Sequence, residues 1–307
     1  MKAIIASPRG FCAGVDRAIK IVELTLQKYG LPLYVRHEIV HNKFVVESLR
    51  KKGVIFVEEL NEIPKGSNVV FSAHGVAPEI YAQAKTHSLN IIDATCPLVS
   101  KVHYEVQKFA KEEFQIILIG HKNHPEVIGI IGEAPNSCTL VESISDIQEL
   151  KFSTNQKLAF VTQTTLSTDE TQTIVNELRK KYPNIISPPK EDICYATTNR
   201  QKAVKEIAPK VDIILIIGSK NSSNTQKLAS VAKKAGVSAH LIDGANEINP
   251  VWLQNKKTIG ITAGASAPEI IIKEVIKHLK ELGVKEIHEE IIVEENIIFS
   301  LPKSVKE

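Results

Sequence analysis

Apolar residues along the chain follow two spacings that alternate from one end to the other. Short continuous apolar runs, such as 116–119 and 213–217, are each followed by a stretch in which apolar positions recur every three or four residues. Continuous runs are typical of strands buried on both faces, and the longer spacing is typical of amphipathic helices. Strands of this kind separated by helices indicate parallel sheets covered on both faces. The pattern therefore predicts an α/β fold.

Three cysteines mark a repeat in this pattern. Cys12, Cys96 and Cys194 lie 84 and 98 residues apart, and each stands between a turn and a helical pattern. Similarity at such intervals predicts repeated modules. We expect module 1, with the N-terminal strand, at 1–95, module 2 at 96–193, module 3 at 194–283, and a closing strand and tail at 284–307. The helical positions after the three cysteines are Val15, Ile19, Val22 and Leu26, then Val99, Val102, Val106 and Phe109, then Ala203, Val204 and Ile207.

Each predicted module also carries two polar loops that follow apolar runs. The first loops contain His41, His124 and Ser222, which follow the three cysteines by 29, 28 and 28 residues. Right-handed crossovers place strand-to-helix loops at the carboxyl edge of a parallel sheet, where ligands bind. If the modules pack around a pseudo-threefold axis, the loops face one central cavity. The second loops are at 72–75, 162–165 and 262–266.

Composition narrows the class of protein. The 307 residues are 43% apolar and 24% charged, and they contain no apolar run of the ~18 residues that a membrane helix needs. About four apolar residues precede the turn at Pro8, which is fewer than a signal peptide requires, so we expect a cytoplasmic protein. The net charge of +3 is small and scattered, and such a surface is not typical of proteins that bind nucleic acid.

The three repeated cysteines have the arrangement of metal ligands. A helix N-terminus favours the thiolate, which is the form of cysteine that binds metal. Structural zinc normally has a close pair of ligands, and none of these cysteines has another cysteine within four residues. An iron–sulfur cluster accepts thiolates from distant segments, and three ligands on a four-iron cluster leave one iron open to a substrate. Cys138 lies outside the repeat and is interpreted as a small buried apolar residue.

The loops around these cysteines are rich in hydrogen-bond donors and poor in carboxylates. Imidazoles, hydroxyls and an amide beside helix N-termini are typical of a phosphate or diphosphate pocket. The chain has no Walker motif and no dinucleotide-binding glycine motif, so nucleotide binding is not predicted. The candidate ligands of the anion are His41, His74, His124, Ser222, Ser223, Asn224 and Ser266.

Glu126 is the one carboxylate within this set of loops. A carboxyl group with an ordinary pKa of about 4.3 is ionised at pH 7, so a role as a proton donor requires burial, an anionic neighbour or a relay through the hydroxyl of Thr164 or Thr165. The alternative is a glutamate that offsets the dipole at a helix N-terminus. The histidines outside the repeat are interpreted as structural, and they are His37, His87, His103, His121, His240, His278 and His288.

Two other functions are open on these observations alone. A zinc or iron sensor would use the three thiols but leave the phosphate-binding loops unexplained. A phosphoester enzyme without a metal would use the loops but leave the three thiols unexplained. The metal content of the purified protein distinguishes them.

The segments around the cysteines resemble those of a known enzyme family. The three segments read Pro-Arg-Gly-Phe-Cys-Ala-Gly-Val at 8–15, Asp-Ala-Thr-Cys-Pro-Leu-Val at 93–99 and Asp-Ile-Cys-Tyr-Ala-Thr-Thr-Asn at 192–199. The likeness continues through the polar loops to about residue 269 and includes the tail at 296–302. These motifs are similar, in order and content, to those of the 4-hydroxy-3-methylbut-2-enyl diphosphate reductases.

This resemblance implies an activity and a cofactor. The activity is the last step of the non-mevalonate isoprenoid route, in which two electrons and two protons remove a hydroxyl group as water and give isopentenyl and dimethylallyl diphosphates. The implied fold is a trefoil of three α/β modules, and Cys12, Cys96 and Cys194 would ligate a 4Fe-4S cluster with one open iron. The expected electron donor is a ferredoxin or a flavodoxin, because the chain has no nicotinamide or flavin motif of its own.

The family's functional residues carry over position by position onto the polar loops. Thr164 would contact the substrate hydroxyl near the open iron, and Glu126 would supply protons to it. His124 is the third residue expected in catalysis. The expected ligands of the diphosphate are His41, His74, His124, Ser222, Ser223, Asn224 and Ser266.

Overall fold

The computed structural model describes residues 1–153 and 155–306. Thr154, in predicted module 2, and Glu307, at the end of the predicted tail, lie outside the described residues. The strands are β1 (Lys2–Ser7), β2 (Leu33–Arg36), β3 (Val54–Val57), β4 (Asn68–Phe71), β5 (Asn90–Asp93), β6 (Gln115–Ile119), β7 (Cys138–Val141), β8 (Leu158–Thr162), β9 (Ile213–Ile217), β10 (Ser238–Ile242), β11 (Thr258–Ala263) and β12 (Glu286–Ile291). The α-helices are α1 (Ala13–Tyr29), α2 (Lys43–Lys51), α3 (Pro78–Thr86), α4 (Pro97–Lys111), α5 (Pro125–Glu133), α6 (Ile144–Glu149), α7 (Thr168–Lys181), α8 (Tyr195–Ile207), α9 (Ser223–Lys234) and α10 (Glu269–Glu281).

These strands form three small sheets, and the pairings between them are parallel. The first sheet has the order β3-β2-β4-β5, the second β7-β6-β8 and the third β10-β9-β11-β1-β12. The predicted class, α/β with small parallel sheets flanked by helices, is confirmed. The trefoil arrangement of the three modules around a central cavity stays a prediction.

The three sheets share one strand order. In the first two sheets the first strand along the chain lies between the second and the third, and the third sheet has the same order when its strands are counted from β9. In each sheet a fourth segment pairs with the outer edge of the third strand. In the first sheet that segment is β5. In the second sheet it is a single parallel bridge from Ile186 to Ala159 of β8, and in the third it is β1. The repeat inferred from the cysteine spacing is therefore also a repeat of topology.

Strand β1 pairs with two strands from the other end of the chain, which the order of residues does not predict. Ala3 lies beside Ile259 of β11 and beside Ile287 of β12, so the first strand of predicted module 1 belongs to the sheet built mainly from the end of the chain. The predicted closing strand is β12, at the edge of that sheet. The module boundaries at 95, 193 and 283 stay a prediction.

The apolar runs form strands because both of their faces are covered. The side chains of β9 are all buried, and they alternate between two clusters. Ile213, Leu215 and Ile217 pack in a cluster with Ile272 and Val275 of α10, and the other two residues pack with α8 and α9. A strand covered by helices on both faces has no need of polar positions, which explains the continuous apolar sequence.

The described residues divide into two compact units. Unit 1 consists of Met1–Asp16, His41–Ser48 and Tyr195–Ile298, and it contains the third sheet. Unit 2 consists of Arg17–Val40, the described part of Leu49–Cys194 and the described part of Phe299–Glu307, and it contains the first and second sheets.

Within residues 1–153 and 155–306, no helix combines the length and the apolar character that are needed to cross a membrane.

Candidate functional site

Each repeated cysteine occupies the same position relative to its neighbouring elements. The residue after each one begins a helix: Ala13 in α1, Pro97 in α4 and Tyr195 in α8. The prediction that each cysteine opens a helix is confirmed. Because a helix N-terminus carries a partial positive charge, a thiolate at any of these positions faces a favourable field.

A common hydrogen bond fixes the backbone of the three cysteines. The backbone N–H of Cys12 donates to the carbonyl of Ala265 at 3.1 Å, that of Cys96 to Ala73 at 3.0 Å, and that of Cys194 to Thr164 at 3.0 Å. The three acceptors lie in the loops that follow β11, β4 and β8, respectively. The three cysteines are therefore joined to the predicted second polar loops by equivalent bonds.

The cysteines differ in their suitability as ligands. None of the four, all of which lie in the described chain, forms a disulfide. Burial raises the pKa of the Cys138 thiol to about 12, and this side chain packs on an apolar cluster of the second sheet. Cys138 is thus a poor source of thiolate, as its place outside the repeat predicts. In residues 1–153 and 155–306, no three His, Cys, Asp or Glu side chains are grouped as ligands of a single metal ion.

Glu126 and Thr164 form a buried pair in unit 2. Glu126 is the second residue of α5 and is 2% exposed. Its carboxylate accepts a hydrogen bond from the backbone N–H of Thr164 at 2.6 Å and another from the Thr164 hydroxyl at 3.0 Å. The sequence left a glutamate that offsets the dipole at a helix N-terminus as an alternative. Its burial against Thr164 supports the interpretation that joins these two residues.

Burial also changes the protonation of Glu126. It raises the pKa of this carboxyl from its ordinary value of 4.5 to about 7, against the lowering effect of the two hydrogen bonds from Thr164. The charge of Asp192 adds to the rise. A carboxyl group of this pKa is present in both forms near neutral pH, so it can donate and recover a proton. The Thr164 hydroxyl is its partner in either form, because a hydroxyl both donates and accepts.

His124 lies at the N-cap of α5, directly before Pro125 and Glu126. Its Nδ1 accepts a hydrogen bond from the backbone N–H of Glu126 at 3.2 Å. A neutral imidazole that accepts at Nδ1 carries its proton on Nε2, so Nε2 is the atom that can donate to an anion. The His74 ring meets that of His124 edge to face, with centroids 5.9 Å apart. Unit 2 therefore brings two of the predicted diphosphate ligands together beside Glu126.

The loop that carries His74 has little room for other residues. The Ser72 hydroxyl lies 3.2 Å from Nδ1 of His74. Gly75 has a φ of +75°, and a Cβ there would lie 3.0 Å from Nε2 of His103. His103 is in turn fixed by Glu133, whose carboxylate lies 2.6 Å from Nδ1. The structural interpretation of His103 is consistent with this packing, and the glycine allows the sharp turn after His74.

In unit 1, three of the predicted ligands lie at one end of the third sheet. The Ser222 hydroxyl caps α9 by accepting from the backbone N–H of Thr225 at 3.4 Å. Asn224 accepts from the backbone N–H of Ala265 at 3.0 Å through its side-chain oxygen and donates to the Thr197 hydroxyl at 3.1 Å. Ser223 is the first residue of α9. The amide of Asn224 therefore joins the loop that binds Cys12 to helix α8, in addition to any contact with a ligand.

His41 and Ser266 meet through the backbone. The Ser266 hydroxyl donates to the carbonyl of His41 at 2.9 Å. Similar spacing from the cysteines, 29, 28 and 28 residues, suggested that His41 corresponds to His124 and Ser222, which are helix N-caps. In the structure Asn42 has that place, because its side-chain oxygen accepts from the backbone N–H of Val45 at 3.1 Å. The loop before α2 differs in length, and His41 lies one residue before the cap.

Gln163 is a buried polar residue that the motif analysis did not single out. It is fully buried, its side-chain oxygen accepts from the backbone N–H of His121 at 3.0 Å, and its amide nitrogen donates to the Thr165 hydroxyl at 3.0 Å. It thereby joins the loop before α5 to the loop that contains Thr164. The feature of the sequence that indicated its importance was its position in the polar run that directly follows the apolar strand β8.

The sequence of the chain matches a known protein family and several known enzymes. A family model described as LytB protein matches residues 3–280. The 4-hydroxy-3-methylbut-2-enyl diphosphate reductase of Mannheimia succiniciproducens is 53% identical over 309 residues, which cover 100% of this chain and 98% of that protein. The protein of the same name from Aromatoleum aromaticum is 51% identical over 303 residues, which cover 99% and 97% of the two chains.

Two solved structures are similar over nearly the whole chain. The E-1-hydroxy-2-methyl-but-2-enyl-4-diphosphate reductase of Plasmodium falciparum is 43% identical with a TM-score of 0.95, and the match covers 99% of this chain and 96% of that one. A structure of (E)-4-hydroxy-3-methyl-but-2-enyl diphosphate reductase, described as the terminal enzyme of the non-mevalonate pathway, is 36% identical with a TM-score of 0.66, covering 92% and 100%. The chain therefore belongs to the LytB family, that of the 4-hydroxy-3-methylbut-2-enyl diphosphate reductases.

Proposed function

We propose that this protein reduces 4-hydroxy-3-methylbut-2-enyl diphosphate to isopentenyl and dimethylallyl diphosphates, with two electrons, two protons and release of water. Family membership over the whole chain supports this assignment. The single observation in the structure that carries it is the Glu126–Thr164 pair, a buried carboxyl with a pKa of about 7 that is bonded to a hydroxyl. Removal of a hydroxyl group as water requires a proton donor of this kind.

The cofactor that we propose is a 4Fe-4S cluster bound by Cys12, Cys96 and Cys194. Three observations support the fit: the helix N-terminus that follows each cysteine, the equivalent backbone hydrogen bond to a polar loop, and the absence of disulfides from these three residues. A single-ion site requires ligands that converge on one point, whereas a cluster is bound by thiolates spread around it. When bound, such a cluster supplies electrons and a Lewis-acidic iron for the hydroxyl oxygen.

Protonation of the leaving group is the task that we assign to Thr164 and Glu126. We propose that the Thr164 hydroxyl contacts the substrate hydroxyl and that Glu126 replaces each proton that Thr164 passes on. The 3.0 Å bond between the two residues provides this path without a water molecule. With Glu126 protonated the bond runs from the carboxyl to Thr164, and it reverses after the transfer.

The diphosphate is the group that we assign to the remaining polar side chains. The Nε2–H of His124 and the imidazole of His74 are the donors of unit 2, and His41, Ser222, Ser223, Asn224 and Ser266 are those of unit 1. Helices α5 and α9 begin beside His124 and Ser222, and helix N-termini attract phosphate groups. An anchored diphosphate holds the reacting carbon chain in one position, which is a large source of rate acceleration.

The electron donor and the location of the enzyme are also proposals. We propose a ferredoxin or flavodoxin as the electron donor, because the chain has no nicotinamide or flavin motif. The cytoplasmic location and the absence of nucleic acid as a partner stay predictions.

The proposed function is tested by anaerobic purification followed by an assay. We expect a brown protein with about four irons and four sulfides per chain, which converts the allylic diphosphate to the two products when a strong chemical reductant replaces the protein donor. A colourless protein that contains zinc would contradict the assignment and support a sensor. A brown protein without turnover would support the proposed cluster but contradict the proposed reaction.

The Thr164 hydroxyl is tested by a matched pair of substitutions. Thr164→Val keeps the shape of the side chain but removes the hydroxyl between Glu126 and the substrate, so we expect turnover to fall by ~10²-fold or more with the iron content unchanged. Thr164→Ser keeps the hydroxyl and should retain most of the activity. Equal turnover in the two variants would contradict the relay. Turnover and iron per chain are the measurements.

A further inference from the structure

We propose that Arg17, Lys101 and Arg200, which we call the basic clamps, are positioning residues that hold the three cysteine loops in place for the cluster. This inference rests on the proposed cluster. Each clamp lies five or six residues after a cysteine, on the helix that the cysteine precedes. Each donates to backbone carbonyls within the four residues before a different cysteine. The clamp after Cys12 contacts the loop before Cys96, and the clamp after Cys96 contacts the loop before Cys194. The clamp after Cys194 contacts the loop before Cys12.

Arg17 follows Cys12 on helix α1 and binds the loop before Cys96. Its Nη1 donates to the carbonyl of Thr95 at 3.0 Å and to that of Ala94 at 3.4 Å. Its Nε donates to the carbonyl of Ser300 at 2.8 Å, so the same side chain also holds the C-terminal segment. Burial lowers the pKa of Arg17, whereas the charges of Asp93 and Cys96 raise it. Arg17 therefore joins the loop before Cys96 to the C-terminal segment through its own hydrogen bonds.

Lys101 follows Cys96 on helix α4 and binds the loop before Cys194. Its ammonium donates to the carbonyls of Lys190 and Glu191 at 2.8 and 3.2 Å and to the carboxylate of Asp192 at 2.7 Å. Asp192 also accepts from the backbone N–H of Thr162 at 2.8 Å, at the end of β8. Lys101 thus fixes residues 190–192, which precede Cys194, both directly and through Asp192.

Arg200 follows Cys194 on helix α8 and binds the loop before Cys12. Its guanidinium donates to the carbonyl of Gly10 at 2.8 and 3.2 Å and to that of Phe11 at 3.5 Å. The Arg200 side chain is 0% exposed, and its charge is balanced by Glu295 at 3.1 Å. Close to the same place, the Tyr195 hydroxyl accepts from the backbone N–H of Ala13 at 3.2 Å.

The chemistry of these loops explains why cations are needed. The last carbonyls before a helix are outside its hydrogen-bond ladder, and buried carbonyls need other donors. Side chains of Arg and Lys supply several hydrogen-bond donors at once, and bonds from a charged donor are stronger than those from a neutral one. Groups that orient metal ligands in this way affect metal affinity strongly, although they do not touch the metal. A set of ordinary surface ion pairs would not repeat the same connection at three cysteines.

The test compares clamp variants with a matched control. Lys101→Met and Arg17→Met remove a clamp, whereas Lys52→Met removes a lysine whose ion pair with Glu23, at 2.5 Å, is distant in sequence from each cysteine loop. Anaerobically purified holoenzyme is mixed with an excess of ferrous chelator, and iron release is followed with the visible absorbance of the cluster. We expect release ~10–100-fold faster in the two clamp variants than in the wild type, and an unchanged rate in Lys52→Met.

Further measurements separate positioning from general stability. Lys101→Arg restores the charge and several donors, so we expect slow release again. Arg17→Lys keeps the charge but has fewer hydrogen-bond donors than the guanidinium, so we expect an intermediate rate and a folded apoprotein by circular dichroism. If a methionine variant does not fold, the rate of iron release from Arg17→Lys tests the proposal in its place. A wild-type rate of iron release in Arg17→Lys and in the folded methionine variants would overturn the proposal.

The outcomes also distinguish this proposal from the proposed function. A wild-type protein that contains a cluster but does not reduce the diphosphate would contradict the function, while the release rates would still test the clamps. A wild-type protein with turnover and with equal release rates in all variants would contradict the clamps alone. A wild-type protein that takes up neither iron nor sulfide would contradict both.

Discussion

Glu126→Gln is expected to slow turnover by ~10²–10⁴-fold, the loss typical of a missing acid catalyst. The glutamine side chain has nearly the same shape and can accept the backbone hydrogen bond from Thr164, but it cannot supply a proton to that hydroxyl. We therefore expect the iron content and the affinity for the diphosphate to stay close to those of the wild type. The measurements are steady-state turnover, iron per chain and binding of the substrate.

The pH dependence of turnover gives a second measurement on the same residue. Burial raises the pKa of Glu126 to about 7, so the wild-type carboxyl is protonated below this pH and ionised above it. Because only the protonated form donates, turnover should fall as the pH rises through about 7. In Glu126→Gln this decrease should be absent. Unchanged turnover in the variant, or the same decrease with pH, would remove Glu126 from the proton path.

Cys96→Ser is expected to abolish turnover. A serine hydroxyl is a much weaker ligand than a thiolate, so we expect loss of most of the iron and, with it, of the ~10⁶-fold or larger acceleration that is typical of enzymes. Cys96 is the N-cap of α4, a position that accepts serine well, so the apoprotein should stay folded. Iron and sulfide per chain, visible absorbance and circular dichroism check these statements.

Cys138→Ala is the matched control for that substitution. Cys138 lies on β7, away from the repeated helix N-termini, and burial raises the pKa of its thiol to about 12. We expect full iron content and wild-type turnover. Retention of the cluster in Cys96→Ser, or its loss in Cys138→Ala, would contradict the assignment of the ligands.

The sequence predicted the parts of the site that depend on local structure. A helix start, a strand end and the polar run between them are encoded within about ten residues, so the cysteine loops and the loops with His74, His124 and Ser266 were recognised from periodicity and spacing. The prediction for His41 shows the limit of this reasoning. The spacing grouped His41 with His124 and Ser222, which prove to be helix caps, whereas α2 is capped by Asn42, because the loop before α2 differs in length.

The chemical state of Glu126 depended on tertiary structure. Its sequence position at the start of a helix is compatible with an exposed, ionised glutamate. Only the packing of α5 against the loop of Thr164 buries the carboxyl and raises its pKa. Desolvation is a property of all the surrounding atoms, and those atoms come from residues far apart in the chain.

By itself, the sequence determined the α/β class, the threefold repeat of cysteine and helix, and the residue types of a diphosphate-binding reductase, because each of these is expressed in short segments. The tertiary structure alone decided that β1 joins β11 and β12, and that Arg17, Lys101 and Arg200 reach the carbonyls before other cysteines. Strand pairing and buried hydrogen bonds between distant residues depend on how separate elements pack. A basic residue in a helix looks the same in the sequence whether its partner is solvent or a carbonyl ninety residues away.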